Sequence, residues 1–226
     1  MFDSMVQNFI LMIEKYWKVF LIKGLTGTLE LTAIAVAFGI LFGSILALIR
    51  RSHILPLRWL AAVYIEIVRG TPLLLQLYLF YFMLPQWLPM LELSKFACVA
   101  IALSLNSAAY VSEVIRSGIQ AVDRGQNEAA RCLGLSHGQS MLHIVMPQAI
   151  KNILPALGNE FVMMLKETSL ASTFLIGDLM TSYKMVNGAT YLVLEPLIFV
   201  GIIYFIMTFI ISKLVGLFER RLAKGD

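Results

Sequence analysis

Two residues stand out for their chemistry in their surroundings. Glu160 is a carboxylate and Asn106 an amide, and each lies inside an otherwise apolar stretch. A carboxylate in the middle of a lipid-spanning helix costs on the order of 2.5–3.5 kcal/mol. Ser107 follows Asn106, and Met164 lies one helical turn beyond Glu160. Together these four could line a pocket, with Ser169 and Asp178 above it. Asparagine and serine can hydrogen-bond an α-amino or α-carboxylate group, and a glutamate can receive an ammonium, guanidinium or amide donor. The structural alternative is that Asn106 and Glu160 satisfy each other, or a backbone gap beside Pro155.

The elements that must position these groups follow from composition. The 226 residues are 59% hydrophobic and 14% charged. A soluble domain averages roughly 45–50% apolar and about 25% charged residues, so a soluble enzyme is excluded. A net charge of +4 gives no nucleic-acid footprint. Cys98 and Cys132 form no CxxC pair and no zinc set, and read as packing residues. The three histidines, His53, His137 and His143, read as loop residues, and no catalytic constellation is present.

The pattern predicts an all-α integral membrane protein with five spans, at about 25–49, 57–84, 97–120, 153–171 and 196–217. Residues 4–23 carry Glu14, Lys15 and Lys18 at helical spacing with apolar positions, which predicts an amphipathic interfacial helix. Residues 57–84 would make a helix of about 42 Å. That exceeds a hydrocarbon core of about 30 Å. Span 2 is therefore tilted, or bent at Gly70–Pro72, where proline removes a backbone donor. Span 3 carries Asn106, Tyr110, Glu113 and Ser117 at i, i+4, i+7 and i+11, one polar face that must meet protein or water. Glu66 and Arg69 are spaced to pair on one helix face, and Glu113 is placed to meet Arg116 or the following loop.

Orientation comes from the basic residues. Ten, among them Arg50, Arg51, Arg58, Arg116, Arg124, Arg131, Lys151, Arg220, Arg221 and Lys224, fall on one side of a five-span chain, against five on the other. The arginine-rich side is expected in the cytoplasm, with the N-terminus outside and the C-terminus inside.

The longest polar interruption, residues 121–151, contains Glu128-Ala129-Ala130-Arg131-Cys132-Leu133-Gly134, then nine residues, then Ile144-Val145-Met146-Pro147. Residues 126–133 predict a short helix that stops at Gly134. Ser136 can cap a second short helix, which Pro147 is expected to end. No P-loop occurs in the chain, so energy must come from a partner or an ion gradient.

This segment resembles the EAA loop of ABC importer permeases, departing only in Met146 where that motif has leucine. Val68-Arg69-Gly70-Thr71-Pro72-Leu73, residues 121–126, residues 154–161 and residues 165–170 are similar to elements of polar amino-acid permeases, those for arginine, histidine, lysine or glutamine uptake. The resemblance covers nearly all of the chain after about Gly24. It implies a type I importer fold whose cytoplasmic coupling loop, with Glu128, Ala129, Ala130, Gly134, Leu135 and Ser136, docks on a separate ATPase subunit. It further implies a bacterial inner-membrane location and a second permease copy or a related permease. It also implies an extracytoplasmic amino-acid-binding protein, and ATP and Mg held by the partner ATPase rather than by this chain. The rival reading from the spans alone is a gradient-driven secondary transporter or channel subunit, which would not need the EAA loop.

Overall fold

The computed structural model describes residues 2–223; Lys224, counted above among the basic residues, lies outside them. Among the described residues every regular element is helical. Helix α1 (Phe2–Lys18) passes through a single π turn, Val19–Gly24, into α2 (Leu25–Arg50). Residues 5–50 are thus helical throughout, so the amphipathic stretch expected over 4–23, which is α1, runs without a break into the apolar α2. The charged positions near the start of this stretch are compatible with this because Met12 and Phe20 on the same segment are buried in a cluster with Val200 and Ile203. Phe20 meets the Phe199 ring edge-to-face with centroids 5.1 Å apart. A π turn leaves backbone carbonyls without a regular partner, and the Ser182 hydroxyl donates to the Val19 carbonyl at 3.0 Å.

The second span is broken. Helices α3 (Leu55–Gly70) and α4 (Leu73–Trp87) meet at 110°. Thr71 and Pro72 are both extended, which is the conformation a residue before proline prefers. Helix α5 (Lys95–Gln120) is capped by the Ser94 side chain and forms the centre of the protein, with Val99, Leu103, Ala108 and Val111 fully buried. After the coupling segment, α8 (Met146–Glu167) leads into a 3-10 stretch, Thr168–Phe174, then α9 (Leu179–Thr190) and α10 (Leu194–Ala223). By length and composition, residues 5–50, 95–120 and 194–221 can each cross a membrane, and the bent pair α3/α4 is apolar enough for a fourth crossing if its halves form one broken span. Helix α8, at 22 residues, is long enough but more polar, and it packs against α5 and α10.

The tightest contact joins α2 to α5. A Cβ on Gly39 would lie 2.3 Å from the Ser107 hydroxyl, and one on Gly43 would lie 2.7 Å from the Val111 Cβ and 2.8 Å from the Ala108 carbonyl. The Gly39-x-x-x-Gly43 spacing lets two backbones approach where lipid provides no hydrophobic drive between helices. Helix α5 is thereby pressed onto α2, with Ser107 at the contact. Gly43→Ala should therefore cost about 1–3 kcal/mol by overpacking and lower the melting midpoint of the detergent-solubilised protein. Gly70→Ala, with open space around its added carbon, should leave that midpoint unchanged.

Candidate functional site

The six candidate pocket residues do not converge on one cavity. Asn106 is buried and donates through Nδ2 to Gln76 Oε1 at 2.9 Å. Gln76 in turn donates through Nε2 to the Val68 carbonyl at 2.7 Å, the Thr71 carbonyl at 3.2 Å and the Thr71 hydroxyl at 2.9 Å. Asn106 is thus tied through Gln76 to the break between α3 and α4. Gln76 was not singled out from the sequence. Its signal is an amide in the first turn after Pro72, in an apolar helix whose start needs a partner.

Ser107 and Glu160 are brought together. Both are buried, at 0% and 6% exposure, on the facing helices α5 and α8. Ser107 lies beside the Glu160 carboxyl, at a geometry short of a hydrogen bond, and its hydroxyl has no partner among the described residues. The Ser112 hydroxyl, further along α5, is likewise buried without a partner. No ion pair to Glu160 is formed among the described residues. Met164 belongs to the packing core with Leu31, Ala35, Leu77 and Leu103. Ser169 lines a separate hollow of about 410 Å³ with Lys166, Thr173, Met180 and Tyr204.

Asp178 serves as the N-cap of α9, accepting from the Met180 amide at 2.9 Å, the Thr181 amide at 3.3 Å and the Thr181 hydroxyl. Next to it, the Leu179 amide donates to the Thr28 hydroxyl at 3.0 Å, which fixes the cap to α2. Arg69 pairs with Glu113 at 3.8 Å and stacks over the Tyr110 ring, 5.5 Å from its centroid. Glu113 also receives Arg50 at 3.0 Å and, as expected, Arg116.

The polar loop folds into two short helices. Helix α6 (Arg124–Cys132) starts at Asp123, whose carboxylate accepts from the Gly125 amide at 2.8 Å. It ends where Gly134 takes φ +89°. The Gly134 amide donates to the Arg131 carbonyl at 3.0 Å and the Leu135 amide to the Ala130 carbonyl at 3.2 Å, the paired bonds that close a helix through a left-handed residue. Helix α7 (His137–Ser140) opens on a reciprocal cap between Ser136 and Gln139. The Ser140 hydroxyl donates to Asn127 Oδ1 at 2.7 Å and locks the two helices together. Pro147 does not end α7. It stands in the first turn of α8, where a missing N–H costs no helical bond, and α7 continues into α8 through a π turn at Met141–Val145. Glu128, Ala129, Gly134 and Ser136 are exposed, Leu135 is half-buried, and Ala130 is buried. Leu133 is 83% exposed on an otherwise polar segment, an apolar side chain presented away from the protein's own core.

A profile of binding-protein-dependent transport system inner membrane components matches residues 39–224. The chain belongs to this family. It is a multi-pass permease subunit of an ABC importer in the inner membrane, and membership implies an ATPase partner and a substrate-binding protein. Among its relatives, the arginine transport system permease protein ArtQ of Bacillus subtilis (strain 168) is 42% identical over 92% of this chain and 94% of that protein. A putative glutamine transport system permease protein, GlnP of Rickettsia bellii (strain RML369-C), is 43% identical over 90% and 93%. The solved structure of an amino acid ABC transporter with histidines superposes with a TM-score of 0.88 at 48% identity, covering 93% of this chain and 97% of that one. Inward-facing MetNI, the methionine ABC transporter, shares the fold with a TM-score of 0.71 at 17% identity, over 88% and 94%.

In this permease the position of Gly134 requires a left-handed backbone, and space around it is open. A β-branched side chain there is strained by about 1–2 kcal/mol, whereas asparagine tolerates that conformation. Gly134→Val should leave the permease in the membrane but release the ATPase on co-purification, while Gly134→Asn should retain it. Equal retention by both would show that this turn does not shape the docking surface.

Proposed function

We propose that this chain is the translocating subunit of an ATP-driven importer for a polar amino acid, cationic or glutamine, and that it works by alternating access. The observation that carries the cargo assignment is Glu160, a carboxylate buried mid-helix beside an orphaned serine hydroxyl, with no cationic side chain paired to it among the described residues. An ammonium, guanidinium or amide donor on the cargo would supply what the protein does not. The printed names of its relatives, which include arginine and glutamine systems, support the same class. Two copies of this chain, or this chain and a related permease, would enclose the path. The coupling helices would carry the closing of the ATPase pair into α5 and α8, which they join.

Glu160→Gln keeps the shape and removes the charge. A charge-assisted hydrogen bond contributes about 1.5–3 kcal/mol, or roughly a 10- to 150-fold change in affinity. In liposomes holding the whole complex, transport of a cationic amino acid should fall by that order while ATPase assembly and hydrolysis persist; for glutamine the loss should be milder. Wild-type uptake of a cationic amino acid by the variant would make Glu160 structural.

The arginine-rich face is proposed to be cytoplasmic. Met90, 97% exposed in the α4–α5 connection, and native Cys132, exposed at the end of α6, lie at opposite ends of α5. Cys98 is buried and should stay silent. An impermeant thiol reagent should reach Met90→Cys in a Cys132→Ser background from outside, and native Cys132 only from inside. Labelling of both from one side would overturn the orientation.

A further inference from the structure

At the start of α3 the protein holds a hollow of about 580 Å³, lined by Arg50, Leu55, Pro56, Arg58, Trp59 and Ala62. Three observations point to the same kind of occupant. The first is uncompensated charge. Arg58 forms no ion pair among the described residues, and Arg50 shares its one acidic partner, Glu113, with Arg69 and Arg116. The nearest acidic residue along α3 is Glu66, eight positions from Arg58, about 12 Å along the helix.

The second is an open helix start. Ile54 is extended and gives α3 no side-chain cap, and the first helical bond runs from the Arg58 amide to the Ile54 carbonyl at 3.1 Å. The amides of Leu55 and Leu57 precede that bond and so have no partner within the helix, and the helix dipole adds positive potential in the same place. The third is an apolar border. Leu55 and Trp59, which line the hollow with the two arginines, are 64% and 66% exposed. Anion-binding groups flanked by exposed aliphatic and indole surface describe the boundary between headgroups and acyl chains.

We propose that this hollow is a binding site for an anionic phospholipid, whose phosphate sits between Arg50, Arg58 and the start of α3 while its acyl chains lie along Leu55 and Trp59. A free phosphate would use the charges but leave the apolar border uncovered. An ATPase subunit would be expected to take the exposed polar face of α6 and α7 instead. The site is independent of the cargo.

Trp59 lies in the hollow and can report on it. Trp17 and Trp87 are both exposed, so replacing them with phenylalanine leaves Trp59 as the sole indole of the full chain. In neutral detergent, brominated phosphatidylglycerol should quench Trp59 at lower concentration than brominated phosphatidylcholine, and millimolar inorganic phosphate should not reverse it. Arg58→Gln should raise the half-quenching concentration about five-fold, as expected for about 1 kcal/mol per basic residue at a membrane surface, and Arg58→Lys should largely restore it. Arg58 forms no ion pair or side-chain hydrogen bond among the described residues, so neither variant is expected to disturb the fold. Equal quenching by the two lipids, an unchanged midpoint in Arg58→Gln, or displacement by phosphate would each overturn the proposal, the last by reducing the site to a general anion site.

Discussion

A bilayer offers no water to a broken backbone, so every interruption of a spanning helix must be answered from within the protein. The break between α3 and α4 is the largest such interruption here, at 110°. Two side chains answer it, the Thr71 hydroxyl donating to the Ile67 carbonyl at 2.8 Å and Gln76 doing the rest. The Gln76 amide reaches back to Val68 and Thr71 at the end of α3, and its carbonyl oxygen accepts from Asn106 of α5. Gln76 therefore serves as both the cap of one helix and the tie to another. The π turn between α1 and α2 is treated similarly, by Ser182 of α9. In both places the regular bonding of a helix is interrupted and a polar side chain meets a freed carbonyl, and at α3/α4 the bend fixes which elements become neighbours.

The charged groups follow a second logic at the arginine-rich end. Glu113 meets Arg50 at the end of α2, Arg69 at the end of α3 and Arg116 on its own helix. Each of these side chains is partly exposed, at 21–38%, so each pair alone contributes little. Their joint effect is geometric. Three helix segments are held to one carboxylate, and α5 runs from that point through residues 121–123 into α6. A displacement of α6 acts on the end of α5 and reaches α2 and α3 through the same carboxylate. The close glycine contact between α2 and α5 makes that unit stiff.

Much of this was legible in the sequence, and the failures have physical reasons. Proline at position 72 announced a bend because its missing donor acts locally. Gly134 announced a helix end, and the structure adds the left-handed backbone that makes it necessary. Partners distant in sequence were not legible. Asn106 was identifiable by type, but nothing in the spacing couples it to Gln76, thirty residues away. Glu66–Arg69 spacing suggested a pair, yet Arg69 turns to Glu113 and Tyr110, because tertiary neighbours outcompete a weak surface pair on one helix. Asp178 read as a possible ligand because a carboxylate looks the same in either role. The readable signal was Thr181 three residues on, at the start of a helix, where an aspartate is most useful as a cap.

The buried polar groups differ in satisfaction rather than in burial, and the Tyr204 hydroxyl on α10 is unpaired among the described residues as well. Asn106, Gln76 and Asp178 are as buried as Ser107 and Glu160, but the first three are engaged by named donors or acceptors. Ser107 and Ser112 keep hydroxyls with no partner among the described residues, on the buried side of α5. A buried polar group left unpaired costs about 1–3 kcal/mol, so two on one helix form a standing destabilisation that packing alone would have removed by alanine. Alanine occupies the neighbouring positions 108 and 109 without difficulty. The same helix is pressed onto α2 through Gly39, whose missing side chain is what admits Ser107 at all. The close approach of the two helices thus holds a hydroxyl in place beside the Glu160 carboxyl, the arrangement on which the proposed cargo role rests.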